Sequence, residues 1–183
     1  MISSLLLALA AAPSELPRVV IETSLGEIEV ALEVAKAPQT TANFLRYVAA
    51  KKYEGGRFHR TVRMDNQPQS PVKIEVIQAG PAPGTAEFAP IALERTTVTG
   101  LKHLDGVISM ARSQPDTATA DFFFCIGDQP SLDFGGKRNP DGQGFAAFGR
   151  VVRGADVVRL IHRRPVVQQK LTPPVSIVRI YRR

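Results

Sequence analysis

One short string, Phe58-His59-Arg60, carries the residue types best suited to chemistry, and it lies in a strand-like segment from Arg57 to Val62. Because side chains alternate between the two faces of a strand, Phe58 and Arg60 are predicted to point to one side and His59 to the other. A fixed arginine can bind an anion or a carbonyl oxygen, since its planar guanidinium stays charged and orients several donors at once. A surface arginine would give the same pattern, so the string alone leaves its role open.

Other kinds of catalytic or metal site are not indicated by the sequence. The three histidines, His59, His103 and His162, have no partners at metal-ligand spacing, so neither a metal nor a cofactor is expected. The sequence has no Gly-x-Ser-x-Gly nucleophile elbow, no phosphate-binding loop and no dinucleotide fingerprint. Its single cysteine, Cys125, lies in an apolar run and is predicted to be a buried hydrophobic residue rather than a reactive thiol.

The composition is that of a soluble globular domain: 183 residues, of which 44% are hydrophobic and 22% are charged. The formal net charge of +6 is spread along the chain and no nucleic-acid-binding motif accompanies it, so nucleic acid is not an expected partner. We find no coiled-coil seam and expect a monomer. Beyond the first residues, no segment is long and apolar enough to cross a membrane.

The first twelve residues, Met1–Ala12, form a short apolar stretch that ends in small residues and fits a cleavable export signal. Residues 13–17 are interpreted as a linker, which leaves residues 18–183 as one domain. This organisation predicts a periplasmic or otherwise exported protein. No Lys or Arg precedes the apolar core, so an uncleaved anchor and an ordinary N-terminal helix stay open as alternatives.

The rest of the pattern is mostly that of β-strands. Val19–Thr23 and Gly26–Leu32 flank a short turn and predict a hairpin. Six further segments are strand-like, at residues 57–62, 73–78, 106–112, 121–126, 145–152 and 175–181. Two helices are predicted, one from Pro38 and one over Gly154–His162. Short strands suit a barrel or sandwich, and a strand near each terminus would let the sheet close, so we expect a mainly β, closed antiparallel fold.

Six motifs resemble those of the cyclophilin family and occur in that family's order. They are Phe58-His59-Arg60, Val76-Ile77-Gln78-Ala79-Gly80, residues 106–112, Phe122-Phe123, Leu132-Asp133 with residues 145–151, and residues 154–158. Together they span roughly residues 18–181. The resemblance implies a closed eight-stranded antiparallel β-barrel capped by two α-helices. It also implies a peptidyl-prolyl cis/trans isomerase of a bacterial, exported kind that uses no cofactor.

The resemblance further implies roles for individual residues. Arg60 and Gln78 are the expected catalytic residues: Arg60 donates to the substrate proline, and Gln78 bonds the substrate backbone or steadies Arg60. The expected substrate-binding residues are Phe58, Val76, Ala111, Asp121, Phe123, Leu132 and Phe145. The expected partners are unfolded or extended polypeptides that contain Xaa-Pro bonds, and the expected role is to assist the folding of exported proteins.

The sequence departs from the family pattern at several places, among them Glu75, Asp121, Ser131 and the loop after Arg60. Glu75 stands where relatives usually have a pocket phenylalanine, so we expect it to contact the proline ring or to pair with Arg60. Asp121 replaces a usual glutamine and brings another acid towards the site. The loop from Thr61 to Lys73 is longer than the family pattern implies, which indicates a specificity loop or a tolerated insertion.

These departures leave two alternatives to an active isomerase. The first is a cyclophilin-like module that binds proline-containing chains with little turnover. The second, from another class, is a β-barrel carrier of a small molecule that uses Arg60 as an anion anchor. Peptide binding with little acceleration would indicate the first alternative, and indifference to Xaa-Pro peptides would indicate the second.

Overall fold

The computed structural model describes residues 15–183, and over this range the chain forms nine β-strands, three α-helices and one short 3-10 turn. The strands are β1 (Arg18–Thr23), β2 (Gly26–Leu32), β3 (Arg57–Val62), β4 (Val76–Gly80), β5 (Val107–Met110), β6 (Phe122–Cys125), β7 (Ala146–Arg153), β8 (Val166–Val167) and β9 (Lys170–Arg182). The helices are α1 (Pro38–Ala49), α2 (Thr96–Thr99) and α3 (Ala155–His162), and the 3-10 turn is Pro130–Leu132. The predicted export signal at residues 1–12 lies outside the described residues.

Eight of these strands close into an antiparallel barrel. Around the barrel the order is β1, β2, β7, β5, β6, β4, β3 and β9, and β9 pairs again with β1. The two-residue strand β8 pairs with the start of β9 and extends it as a small hairpin. The closed eight-stranded antiparallel barrel predicted from the sequence is therefore confirmed, and the first and last strands are the pair that closes it.

Both predicted helices are present, and the structure adds a third. α1 begins at Pro38, where a missing N–H costs no helical hydrogen bond. Glu94, from a distant loop, caps this helix by accepting hydrogen bonds from the backbone N–H groups of Gln39 at 3.1 Å and Thr40 at 2.7 Å. α2 is a single turn of Thr and Val residues, which are poor helix formers, so the sequence pattern gave no helical signal there.

The apolar residues divide into two clusters on the two faces of the same sheet. In β6, Phe122 and Phe124 belong to the interior cluster, whereas Phe123 and Cys125 belong to an outer one, as strand alternation requires. The interior cluster is the main core and includes the buried apolar faces of α1 and α3. The outer cluster consists of Val62, Ile74, Val76, Phe123, Cys125 and Leu132. The predicted burial of Cys125 is confirmed.

A β-bulge at His59 changes the expected side-chain directions in β3. Phe58 pairs with Ala79 and Arg60 pairs with Gln78, so His59 is an extra residue without a partner on β4. The bulge leaves Phe58 fully buried in the interior core and turns Arg60 to the outer face. The prediction that Phe58 and Arg60 share a face is therefore wrong. The prediction that Phe58 contacts substrate is wrong for the same reason.

Two strands differ in extent from the sequence prediction. β4 begins at Val76 rather than near Lys73, because residues 63–75 form a loop held by side-chain hydrogen bonds. β9 begins earlier than expected, at Lys170, and its first residues pair with β3 and β8. Within residues 15–183, no helix has the length and apolar character needed to cross a membrane.

Candidate active site

Arg60 lies on the outer face of the barrel and is held by two glutamine side chains. Its Nε and Nη2 atoms donate to Gln169 Oε1 at 2.9 and 2.6 Å, and its Nη1 atom donates to Gln78 Oε1 at 3.0 Å. A guanidinium has five N–H groups, so these bonds within the described residues leave two for a ligand. Burial lowers the pKa of Arg60, and the charge of Arg138 lowers it further, but an arginine stays charged at neutral pH.

A hydrogen-bonded chain connects Arg60 to Asp121. Gln78 accepts from Arg60 and donates through Nε2 to Asp121 Oδ2 at 2.9 Å, and His59 Nε2 lies 3.5 Å from the same oxygen. A Cβ atom at Gly80 would fall 1.8 Å from Asp121 Oδ1, so the carboxylate fits in this position because residue 80 has no side chain. Burial raises the pKa of Asp121, against the hydrogen bond from Gln78 and the nearby His59. Asp121 therefore orients Gln78, which in turn orients Arg60.

An apolar patch lies beside this chain on the same face of the sheet. Phe123 on β6 pairs with Gln78, and Val76 is two residues before Gln78 on β4, so all three side chains share the outer face. Leu132, from the 3-10 turn, packs with them, and Ala111 and Phe145 lie at the edge. The structure thus brings together every site residue predicted from the sequence except Phe58.

A buried polar group that the sequence analysis missed supports Phe123. His103 stacks on the Phe123 ring, with the ring centroids 6.1 Å apart. Its Nδ1 atom lies 2.8 Å from Asp133 Oδ1, and its Nε2 atom lies 3.0 Å from Ser109 Oγ. Although burial acts to raise it, the pKa of Asp133 is lowered overall because His103 bonds to it from both ring and backbone. Ser109 is fully buried, so this group holds the patch from beneath.

A second missed residue, Arg112, fixes the position of Phe145. Its guanidinium carbon lies 5.0 Å from the centroid of the Phe145 ring. Nη1 and Nη2 bond the two carboxylate oxygens of Asp141 at 2.8 and 2.9 Å, and Nε donates to the Gly144 carbonyl at 2.8 Å. These hydrogen bonds from Arg112 lower the pKa of Asp141. The loop that carries Phe145 is therefore attached to the end of β5.

Glu75 does not occupy the apolar patch. Its Oε1 atom lies 3.7 Å from His162 Nε2, at the end of α3, so the carboxylate pairs with that histidine rather than with Arg60. Ile74, one residue earlier, is 6% exposed and packs into the patch instead. The expectation that Glu75 contacts a proline ring or pairs with Arg60 is therefore wrong.

This arrangement suits a ligand that carries an apolar ring next to a hydrogen-bond acceptor. The patch would bind the ring, and the two remaining N–H groups of Arg60 would bind the acceptor. Cys125 lies beneath the patch and is buried, and burial raises the pKa of its thiol far above the ordinary value. Cys125 is therefore not an exposed nucleophile. Among residues 15–183, no group of three or more His, Cys, Asp or Glu side chains is placed to hold a metal ion.

The fold and the site define a closed β-barrel protein that carries an apolar patch and a fixed arginine side by side on the outside of the sheet. A sequence model of the family described as cyclophilin type peptidyl-prolyl cis-trans isomerase/CLD matches residues 18–182. The chain belongs to this family, and the resemblance seen in its motifs is confirmed.

Curated relatives carry the name of the same enzyme. The chain is 36% identical over 143 residues to peptidyl-prolyl cis-trans isomerase cyp18 of Streptomyces antibioticus, a match that covers 77% of this chain and 80% of that protein. It is 35% identical over 144 residues to peptidyl-prolyl cis-trans isomerase B of Escherichia coli (strain K12), covering 76% and 80%. The family match and these relatives identify the activity as that of a cyclophilin-type peptidyl-prolyl isomerase.

Solved structures share the fold. A crystal structure of a cyclophilin type peptidyl-prolyl cis-trans isomerase from Cryptosporidium parvum matches with a TM-score of 0.74 at 21% identity, covering 91% of this chain and 97% of that one. A structure of the same protein in the presence of the dipeptide Ala-Pro matches with a TM-score of 0.72, covering 89% and 96%. This likeness confirms the barrel fold.

Proposed function

We propose that this isomerase accelerates rotation about Xaa-Pro bonds in unfolded or extended segments of exported polypeptides, with Arg60 as its catalytic residue. The observation that carries the proposal is the position of Arg60. Neutral amides fix its guanidinium, two of its N–H groups remain for a ligand, and an apolar patch lies beside it.

The reaction is a rotation about a bond, and no covalent bond has to be broken. Amide resonance opposes rotation about an Xaa-Pro bond with a barrier of about 18–20 kcal/mol. The enzyme must bind the twisted amide more tightly than either planar form. In the twisted form the proline nitrogen becomes pyramidal and gains a lone pair. A fixed guanidinium donates to the prolyl carbonyl and to that nitrogen, so it stabilises the twisted form most.

The neighbouring side chains position the substrate in this mechanism. Phe123, Val76 and Leu132 bind the proline ring, with Phe145 at the edge of the patch. The Ala111 N–H already donates to the Asp121 carbonyl at 2.9 Å, so an extended substrate next to Ala111, just beyond the end of β5, would donate to the Ala111 carbonyl. The substrate class agrees with the Ala-Pro dipeptide used with the Cryptosporidium parvum enzyme.

The first experiment measures cis/trans exchange of an Ala-Pro peptide by NMR, with the wild type and with Arg60→Ala. We expect the wild type to accelerate exchange and Arg60→Ala to lose the acceleration while its amide spectrum stays that of a folded barrel. Arg179→Ala is the matched control: it also removes an arginine from the outer surface, one that pairs with Glu22, and it should keep the acceleration.

Two results would contradict this proposal. Peptide binding by a folded wild type without acceleration would indicate a binding module of low activity. Equal acceleration by the wild type and Arg60→Ala would exclude Arg60 as the catalytic residue and leave the activity itself in place.

The exported location rests on the apolar character of residues 1–12. N-terminal sequencing of protein from the native cell should find that this segment has been removed and that the protein lies outside the cytoplasm. An intact Met1 on protein recovered from the cytoplasm would contradict the location without affecting the assignment of Arg60.

A further inference from the structure

A cleft of about 1290 Å³ lies next to the apolar patch, and Arg60 is one of its lining residues. The rest of the lining comes from Arg57 and His59 on β3, the loop of residues 65–71, Arg138 and Asn139, and residues 168–170 at the β8–β9 turn. None of the residues that form the patch lines this cleft. The cleft is therefore a separate surface that meets the active site at Arg60.

The loop in this cleft is held in place by hydrogen bonds from two directions. Arg138 Nη1 donates to three loop acceptors at 2.6–2.8 Å: Gln67 Oε1, Ser70 Oγ and the Val72 carbonyl. Gln169, which anchors Arg60, also donates through Nε2 to the Asn66 carbonyl at 3.0 Å. The long loop after β3 is thus a fixed wall of the cleft, connected directly to the side chain that positions Arg60.

The charged side chains of the cleft are nearly all cationic. Arg57, Arg60, Arg138 and Lys170 line it, and Asp65 is the one carboxylate among the lining residues. Asp65 is 83% exposed and lies 3.9 Å from Arg63, which is outside the lining. Within residues 15–183, none of the four cations has a carboxylate oxygen within 4.0 Å. The cleft is therefore a cationic surface whose four cations form no ion pair within the described residues.

We propose that this cleft binds acidic side chains of the substrate polypeptide at positions that follow the isomerised proline. The inference rests on the proposed function, because it takes the polarity of the substrate from Arg60. If Arg60 donates to the prolyl carbonyl, the bond to the next residue leaves from the same carbon, and the chain after the proline starts beside Arg60. Each extended residue adds about 3.3–3.6 Å, so the second and third residues after the proline reach into the cleft.

Arg57 and Lys170 are the residues that select for acid in this arrangement. Arg138 is committed to the loop, and Arg60 to the proline, whereas Arg57 and Lys170 are cleft cations without an ion-pair partner in the described chain. Both lie on the β3–β9 strand pair, where Lys170 is opposite Arg60. A glutamate placed near them gains charge attraction that a glutamine of the same size does not.

The test compares two fluorescent peptides that differ only after the proline. One has glutamate at the second and third positions after it, and the other has glutamine there. Fluorescence anisotropy gives Kd for each peptide, and NMR exchange gives the rate. We expect the acidic peptide to bind about three- to tenfold more tightly, as for partly exposed charge pairs, and the preference to shrink in about 0.5 M NaCl. A third peptide, with the glutamates placed before the proline, should bind like the glutamine peptide.

The variant Arg57→Gln/Lys170→Gln should bring the ratio of the two Kd values to about one. Lys36→Gln, an exposed lysine outside the cleft, is the matched control and should leave the ratio as in the wild type. Equal Kd values for the wild type, no binding of either peptide, or an undiminished ratio in the double variant would each overturn the inference. Because Kd is measured separately from exchange, an acid preference without turnover would support the cleft while contradicting the isomerase mechanism.

Discussion

The barrel holds arginine side chains in two contrasting ways. At Glu29, whose side chain is 2% exposed, one carboxylate accepts hydrogen bonds from three arginines: Arg18, Arg153 and Arg183. At Arg60, one guanidinium donates to the neutral amides of Gln78 and Gln169, and its pKa is lowered by burial and by the charge of another cleft arginine, Arg138. The first site has a carboxylate at its centre, and the second has none.

This difference separates an arginine used for structure from one used for binding. The three arginines around Glu29 lower its pKa from 4.5 to about 2; the bond from Arg18 is the main cause, and burial opposes the shift. The Glu29 carboxylate, which lies where β1, β2, β7 and β9 meet, offsets part of the positive charge of these arginines. Amide oxygens also orient a guanidinium, but they carry no net charge that would offset it. Arg60 can therefore still attract a substrate carbonyl.

The largest effect is expected from removing the arginine of the amide-held site. Arg60→Ala should lower kcat/KM about 100- to 1000-fold, the usual cost of losing a donor aimed at the transition state. Arg60→Lys should recover only part of the activity, because an ammonium lacks the planar fork of donors. Peptide exchange by NMR measures both, with circular dichroism to confirm the fold. Full activity in Arg60→Lys would show that charge matters and orientation does not.

A smaller effect is expected from placing a carboxylate against Arg60, as at the Glu29 site. Gln169→Glu would place a carboxylate against Nε and Nη2 of Arg60, where the amide oxygen now accepts at 2.9 and 2.6 Å. The charge of Arg60 would then be offset by that carboxylate, and kcat/KM should fall about tenfold with the melting temperature maintained or raised. The control is Lys36→Gln, which lowers the net charge by the same one unit outside the site. Unchanged kcat/KM in Gln169→Glu would mean that an uncancelled charge is not what the site requires.

Removing the carboxylate charge from the Glu29 site is expected to change the stability of the protein. Because Glu29 has a lowered pKa in the folded protein, its contribution to stability is full above about pH 4.5 and is lost as the pH falls towards 2. Glu29→Gln should therefore melt at a lower temperature than the wild type at neutral pH, and the two melting temperatures should converge between pH 4.5 and 2. Thermal denaturation followed by circular dichroism across this range measures it. A constant difference down to pH 2 would contradict the assignment of the pH dependence to Glu29.

The smallest effect is expected at Asp121, the carboxylate that Gln78 connects to the amide-held arginine. Asp121 reaches Arg60 only through Gln78, and an asparagine can accept the same hydrogen bond. Asp121→Asn should therefore change kcat/KM by no more than about twofold near neutral pH, since the orientation of Gln78 is kept. Peptide exchange at neutral pH is the measurement. A tenfold change in either direction would show that Asp121 acts on Arg60 through its charge.

Phe123 and Val76, which the resemblance assigns to the substrate-binding surface, lie together on the outer face of the sheet. They do so because each lies on a regular strand whose other face packs into the core. Phe58 was misplaced because the bulge at His59 arises from pairing with β4 and β9, which no local pattern in β3 reveals. The fold tolerates the bulge, and it is the bulge that turns Arg60 outward.

Contacts between distant segments account for most of what the sequence did not reveal. Gln169 anchors Arg60 from 109 residues away, and Arg138 bonds to the loop after β3 from 66–71 residues away. Neither residue belongs to a periodic pattern or a motif, so only the folded chain shows its role. His103 was considered only as a metal ligand, and its actual use, beneath Phe123, likewise depends on packing.

The pairing of β1 with β9 sets the order in which a ribosome can finish this domain. Val19 pairs with Arg182, more than 160 residues further along the chain, so the ring stays open until the last strand has been synthesised. Until then β1 and β3 each have an unpaired edge, which is a risk for aggregation in a nascent chain. Closure over so long a separation also gives a high contact order, for which slow folding is expected. An enzyme proposed to help other chains fold is therefore itself a domain whose strand edges stay open to aggregation until β9 is in place.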